Sequence, residues 1–359
     1  MELLSVTMND GVMPRSEIEG KDNSSEDKSN YKVVRTGDMV YNSMRMWQGA
    51  NGISPCDGIV SPAYTVLMPK NPISNGYFAA LFKSPNLINE FRKNSQGMTS
   101  DTWNLKYPQI ETIKVCIPAL TEQERIADML GTLEKRIAKQ AQLIESLKKY
   151  KRGLISEILK QKLAITHDDE KWEEVSLNDV AVGFEYGMNA AATTFDGVHK
   201  YIRITDIDDD AHTYIDCDSV SPSGVLEGKY RVRENDILFA RTGASVGKSY
   251  LYRETDGDLF FAGFLIRIHV KDGVDSGYVF LNTLTEEYKK WVQLESARSG
   301  QPGINAEQYR RYRFKLPSFR TQKRITAIAK KIDAQIQMET KCLRLLQEQK
   351  FGLLQQLFI

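Results

Sequence analysis

Several short stretches of this chain carry residue types that could do chemistry. The stretch 242–249 ends in Gly247-Lys248-Ser249, the close of a phosphate-cradling loop, but G-x-x-x-x-G-K-[ST] needs glycine where Thr242 stands. Ser61-Pro62-Ala63-Tyr64 has the shape of an N-P-P-Y string, whose amide grips a target amino group. Ser61 has no amide, and no glycine-rich cofactor loop accompanies it. Glu287-Tyr288-Lys289 has nuclease-like E-x-K spacing but lies in a helical pattern without a matched aspartate. His167, His199, His212 and His269 show neither metal-ligand spacing nor a triad arrangement. Cys56, Cys116, Cys217 and Cys342 are scattered, with no C-x-x-C pair, which argues against a zinc site or a disulfide framework and fits a reducing cytoplasm. No catalytic constellation survives, so the chain is read as a non-enzyme holding neither metal nor cofactor.

The elements around these residues say more. The 359 residues carry 48 Lys+Arg against 47 Asp+Glu, for a net charge of +1, with 41% apolar residues. That suits two domains of ordinary size and is too mixed for a disordered chain. No stretch reaches the roughly 18–20 apolar residues that span a bilayer, and Met1-Glu2-Leu3-Leu4 does not open a signal peptide. The average hides a pattern: residues 1–120 net 0, 121–162 net +4, 163–317 net −8 and 318–359 net +5. Positive charge gathers in two separated segments, which points to a repeating plan.

Those two segments align without a gap at an offset of 199 residues. Pro118-Ala119-Leu120-Thr121-Glu122-Gln123-Glu124-Arg125-Ile126 sits over Pro317-Ser318-Phe319-Arg320-Thr321-Gln322-Lys323-Arg324-Ile325, and identity continues at Lys151/Lys350 and Gly153/Gly352. Each copy reads as one long helix, over 118–162 and 317–359. Thr121 with Glu124 reads as a capping box that starts the first; the second has Lys323 in place of that glutamate. Apolar residues fall on a narrow a/d seam, with Ile126, Leu133, Ile137, Leu147 and Leu154 repeated as Ile325, Ile332, Ile336, Leu346 and Leu353. A seam on a rod of ~60 Å needs another helix to cover it, and the duplicate is the expected cover, antiparallel, with a globular part at each end. A close helix approach or a bend would explain Gly153 and Gly352, each costing ~1 kcal/mol relative to alanine.

The globular parts, 1–117 and 163–316, also correspond. Tyr31-Lys32-Val33-Val34-Arg35-Thr36-Gly37-Asp38 reads over Tyr230-Arg231-Val232-Arg233-Glu234-Asn235-Asp236 with one residue of slippage, as a strand, a turn and a second strand. Strands are expected at 201–207 and 260–270, and short helices near 76–94 and 277–297. The fold class is α+β: two domains of mixed β-structure separated by two long antiparallel coiled-coil helices. The second domain opens with Lys171-Trp172-Glu173-Glu174-Val175-Ser176-Leu177, which has no counterpart in the first, so the first copy is expected to lack its opening strands.

In this order of motifs the chain resembles the specificity subunit of type I restriction–modification systems: two variable domains, each followed by a P-x-x-x-x-Q-x-R-I helix. Tyr201-Ile202-Arg203-Ile204-Thr205-Asp206-Ile207, Arg241-Thr242-Gly243-Ala244-Ser245-Val246-Gly247-Lys248 and Ser299-Gly300-Gln301-Pro302-Gly303-Ile304-Asn305 support it. The resemblance implies two target-recognition domains, each reading one half of a split site in double-stranded DNA. It also implies a helix pair that sets the spacer and docks two modification subunits, with restriction subunits joining the complex. S-adenosylmethionine, ATP and Mg would belong to those partners. The departure from the family is the short first domain.

Base contacts come from Arg, Lys, Asn, Gln, Ser and Thr on loops, and phosphate contacts from cations and hydroxyls. The expected contacts are therefore Arg241, Thr242, Ser245, Lys248, Ser299 and Gln301 in the second domain, and Arg45 and Gln48 in the first. Trp47 is expected in the core. The net −8 of the second domain does not favour DNA. The competing reading is a helical-hairpin scaffold whose end domains bind proteins.

Overall fold

The computed structural model describes all residues except 9, 21, 23, 100–101, 164–169, 298–301 and 359. His167, Ser299 and Gln301 thus lie outside the described residues. The chain divides into two compact units, one made of Met1–Ile144 with Met338–Ile359, the other of Glu145–Gln337. These units cut across the linear order of domain and helix, because each core is completed by the start of one long helix and the end of the other. Among the described residues no helix is long and apolar enough to cross a membrane.

The first unit runs β1 (Glu2–Val6), β2 (Val12–Pro14), β3 (Lys32–Val34), β4 (Met39–Asn42), β5 (Asn51–Ile53), β6 (Gly58–Val60) and β7 (Tyr64–Leu67). Helices α1 (Asn75–Leu81), α2 (Pro85–Asn94) and α3 (Tyr107–Glu111) follow, then the long α4 (Leu120–Leu159). Its sheets have the orders β2-β1-β6-β3 and β5-β4-β7. The second unit runs β8 (Glu173–Ser176), α5 (Leu177–Val180), β9 (Ala181–Tyr186), β10 (Ala192–Thr194), β11 (His199–Ile202) and β12 (Val220–Pro222). It continues with β13 (Asp236–Ala240), β14 (Ser249–Leu251), β15 (Asp258–Phe261), β16 (Leu265–Val270), α6 (Ser276–Asn282), α7 (Glu286–Ser296), α8 (Ala306–Arg310), β17 (Arg313–Leu316) and the long α9 (Phe319–Leu357).

The duplication is visible strand by strand. The parallel pair β1/β6 recurs as β11/β15, and β5-β4-β7 recurs as β14-β13-β16, with β9 added outside β16. The turns before β4 and β13 are the same device. The Asp38 carboxylate accepts from Arg35 N, and that of Asp236 from Arg233 N, both at 2.8 Å. The residue between is left-handed in each, Gly37 at φ +90° and Asn235 at +67°, a conformation open to glycine and tolerated by asparagine. The short helices come in pairs because Ser84 and Thr285 cap α2 and α7, each accepting from the amide three residues on. Two expected strands are cut short. The one at 201–207 ends at Ile202, where the Asp206 carboxylate gathers the Arg203 main chain and guanidinium into a 3-10 turn. The one at 260–270 breaks around Gly263 into β15 and β16.

The long helices pair antiparallel within each unit. Lys350 meets Glu134 at 2.7 Å in the first unit, and Lys151 meets Asp333 at 2.6 Å in the second, the same two repeat positions with the helices exchanged. Gln140 donates at 2.6 Å to Glu339, its own repeat mate, as antiparallel duplicates require at their midpoints. Ile126 and Leu130 join Leu354 and Phe358 in the first core; their mates Ile325 and Ala329 join Ile155 and Ile158 in the second. All ten seam residues named from the sequence are buried or half-buried, while Leu143, Tyr150, Leu345 and Phe351 are exposed on the other faces. Space is open around both Gly153 and Gly352, so no close helix approach accounts for them.

What starts the helices differs from expectation. The first begins at Leu120, so Thr121 lies inside the first turn rather than at the N-cap. The shared glutamine does the anchoring instead. Gln123 donates to Pro118 O (2.9 Å) and accepts from Ser74 N (3.1 Å); Gln322 donates to Pro317 O (2.7 Å) and accepts from Asp275 N (2.9 Å). Ser74 and Asp275 are the N-caps of α1 and α6, so one buried amide ties each long helix to its domain. The second helix also gains a carboxylate from outside: Glu170 accepts from Ser318 N and from the Thr321 hydroxyl at 2.7 Å. A carboxylate there takes up the Ser318 amide at the helix start and places negative charge at the positive end of the helix dipole.

Candidate nucleic-acid interface

Six of the eight predicted contacts fall on the same hairpin loop of the two units: Arg45 and Gln48 on 43–50 between β4 and β5, and Arg241, Thr242, Ser245 and Lys248 on 241–248 between β13 and β14; Ser299 and Gln301 lie outside the described residues. Three main-chain bonds recur one for one. Asn42 N donates to Ala50 O at 2.9 Å, as Ala240 N does to Lys248 O at 2.8 Å; Leu105 N donates to Ser43 O at 2.8 Å, as Ile304 N does to Arg241 O at 2.9 Å. Ser43 N donates to Ala63 O at 3.3 Å, as Arg241 N does to Phe264 O at 3.0 Å. Each loop ends in a left-handed glycine, Gly49 at φ +83° and Gly247 at +85°, whose missing side chain lets the loop approach α2 or α7. These bonds and the glycine place the loop backbone in the same setting in both copies, although the side chains of the two loops differ.

The side chains divide into tied and available ones. Arg241 lays its guanidinium over the Tyr186 ring, 4.9 Å from the centroid, which orients it without neutralising it. Thr242 pairs by a β-bridge with Gly303, and Ser245 is half-buried in the turn. Lys248 is committed: its ammonium pairs with Asp209 and donates to Ile207 O at 3.0 Å, and its side chain is only 10% exposed. The hydrogen bond that Lys248 donates to Asp209 holds the Asp209 carboxyl below its ordinary pKa. Asp208, Asp209 and Asp210 line the hollow beside Ser245 and Lys248, a surface that repels phosphate. His212, left-handed at φ +53°, bonds Ser249 O through Nδ1 at 2.9 Å, and burial pushes its pKa down. In the first unit Arg45 and Gln48 are half-buried around a short 3-10 turn. Trp47 is clamped there by Trp103, edge-on at 5.1 Å, and by the Arg92 guanidinium at 5.7 Å.

Two residues escaped the sequence reading. Phe264 is 62% exposed at the turn between β15 and β16, and with Asn189 and Arg241 it borders a hollow of about 520 Å³. Taking 260–270 as one strand hid that turn; Gly263 was its only local signal. An amide, a guanidinium and an aromatic face around one hollow are groups suited to base edges and stacking. The other chemistries fare differently. The stretch 242–249 closes a β-hairpin rather than leading from a strand into a helix. Glu287 pairs with Lys160 at 3.1 Å, and Lys289 with Glu286 at 2.8 Å. Ser61 and Tyr64 close a tight turn between β6 and β7.

Comparison with known proteins agrees with this duplicated build. The chain is 25% identical over 317 residues to the MjaVIII specificity subunit of Methanocaldococcus jannaschii, covering 82% of this chain and 73% of that one. It is 25% identical over 276 residues to the StySPI specificity subunit of Salmonella potsdam, and 22% identical over 284 residues to the EcoKI specificity subunit of Escherichia coli. Each of these two alignments covers 72% of this chain, but only 58% and 59% of the relative. Among solved structures, a chain from a study of complex assembly and conformational transition in a type I R-M system aligns at TM-score 0.59 and 18% identity, over 93% of this chain and 84% of its own. The type I restriction-modification S subunit of M. genitalium aligns at TM-score 0.58 and 15% identity, over 99% and 94%. The model of the type I restriction modification DNA specificity domain matches twice, at residues 6–149 and 169–348, once in each copy of the repeat, and the chain belongs to that family.

Proposed function

We propose that this chain is the DNA-sequence-recognition subunit of a type I restriction–modification complex. Each copy reads one half of a bipartite target in double-stranded DNA through its hairpin loop, the second also through the hollow bordered by Asn189, Arg241 and Phe264. The observation that carries the reading is the double family match, which falls on two units with the same loop in the same main-chain setting. The chain takes no catalytic step itself. Adenine methylation with S-adenosylmethionine belongs to two docked modification subunits, and ATP- and Mg-dependent cleavage to restriction subunits. The complex works in the cytoplasm.

The helix pair is proposed as an antiparallel coiled coil that sets the spacer and offers the docking surface. The 40 residues of α4 rise ~60 Å, against ~34–36 Å for one turn of DNA. Purified with its cognate modification subunit, the chain is expected to confer adenine methylation at one bipartite sequence on plasmid DNA. Insertions or deletions within 135–150 are expected to change the spacer, and variants that methylate the parental spacer would refute the ruler. Binding that persists at high salt and ignores DNA sequence would favour the protein-binding scaffold.

A further inference from the structure

The two units share a loop backbone and differ in what it carries. Where Arg241 N donates to Phe264 O in the second unit, Ser43 N donates to Ala63 O in the first. Hydrogen-bonded neighbours therefore bear a guanidinium and an aromatic ring in one copy, and a hydroxyl and a methyl group in the other. Ser43 is 7% exposed and its hydroxyl lies 3.3 Å from that of Thr65, so it is spent inside the first unit. Arg241 is half-buried on the border of its hollow. Its guanidinium sits over the Tyr186 ring, a contact through the flat face that leaves the N–H donors around its edge for an acceptor. Among the described residues no side chain or carbonyl takes them up.

Two parts of DNA could use such a fork, a phosphate or a base edge, and the surroundings favour the base. The other arginine of the hollow, Arg203, already donates both ends of its fork to Asp206, at 2.8 and 2.7 Å. A phosphate would meet a single free cation there, with Asp208, Asp209 and Asp210 beside the same loop to repel it. A guanine edge fits better. In the major groove it turns two acceptors, N7 and O6, towards the protein at the spacing of a guanidinium fork. Adenine and cytosine each turn a donor there, and thymine offers one acceptor beside its methyl group. We propose that Arg241 reads a guanine in the half of the target contacted by the second unit, and that the first unit makes no equivalent contact. The proposal rests on the DNA-recognition reading above and adds to it a residue and a base.

The test uses the full chain with its cognate modification subunit and reads the methylated motif by sequencing a randomised plasmid library. Arg241→Ala should relax one G·C pair in one half of the motif, with preference there falling about tenfold or more, as loss of one bidentate contact implies. Preferences in the other half should stay as in the parent. Arg241→Gln keeps a polar side chain at the site, and its amide should turn the preference at that same pair towards adenine. Equal weakening across all sequences would assign Arg241 to a phosphate and overturn the proposal. A motif unchanged by Arg241→Ala, or relaxed at an A·T pair instead, would overturn it too, while leaving the recognition reading in place. A parent complex that methylates no defined sequence would sink that reading and this contact with it.

Discussion

Gln322 is the residue whose removal should matter most for its size. Its side chain is 2% exposed and makes two hydrogen bonds, from Nε2 to Pro317 O and to Oε1 from Asp275 N. Each bond contributes about 1 kcal/mol net, and a stranded buried partner costs about 1–3 kcal/mol. Gln322→Met fills the same volume without the bonds, and it should destabilise the second unit by about 2–4 kcal/mol. Urea unfolding of the full chain can follow this if the fluorescence reports one unit at a time. In a Trp47→Phe, Trp103→Phe background the remaining tryptophans are Trp172 and Trp291. Trp172 packs edge-on at 6.3 Å against Tyr278 of α6, the helix whose N-terminus Gln322 holds. The midpoint should fall with the slope unchanged. Gln123→Met should do the same to the first unit, by about 1–3 kcal/mol, because its partners are less deeply buried. A loss under about 0.5 kcal/mol for Gln322→Met, within the range of an ordinary surface change, would refute the argument that this glutamine latches helix to domain.

Other outcomes follow from the same geometry. Glu170→Gln should cost about 1 kcal/mol as a lost charged cap. Burial raises the Glu170 carboxyl, but hydrogen bonds from Thr321 and Ser318 outweigh it and leave the pKa lowered. The contribution is therefore full above the unfolded value of about 4.3 and lost as pH falls. Unfolding free energies of parent and variant should differ at pH 7 and converge near pH 3. Gly247→Ala meets both a left-handed φ and a Cβ 2.6 Å from the Val292 methyls, so about 2–4 kcal/mol is expected. Gly49→Ala, with its Cβ 3.3 Å from Ile88 Cδ1, should cost less, about 1–2 kcal/mol, and equal losses would deny the tighter contact. Arg241→Ala should weaken specific DNA binding by about 1–3 kcal/mol, and Phe264→Ala should weaken it without changing thermal stability. Retention of parental affinity by both in filter binding would remove the hollow from the interface.

How much was legible beforehand depends on where each residue's partner lies. The seam could be read because its period is local, and the match between copies named the partner helix as well as the face. Gln123 and Gln322 stood out as an identical position in both copies, yet their role was hidden, since Ser74 and Asp275 lie 49 and 47 residues away. The cap on the second helix escaped for the same reason: Glu170 precedes Thr321 by 151 residues. A box motif inside the chain's own first turn was the wrong place to look. Residue type picked out the loop 241–248, and the same loop with the same main-chain bonds recurs in 43–50. Residue type could not separate Arg241 from Lys248. Only the fold brings Asp209 and the Ile207 carbonyl onto Lys248, and a cation already neutralised has little left for a phosphate, because exchanging one partner for another gains only the difference between them. Arg241 rests on an aromatic face that orients it, and among the described residues it has no carboxylate partner. Arg241→Ala, rather than Lys248→Ala, is therefore the substitution whose effect on affinity and on its salt dependence decides whether this loop touches DNA.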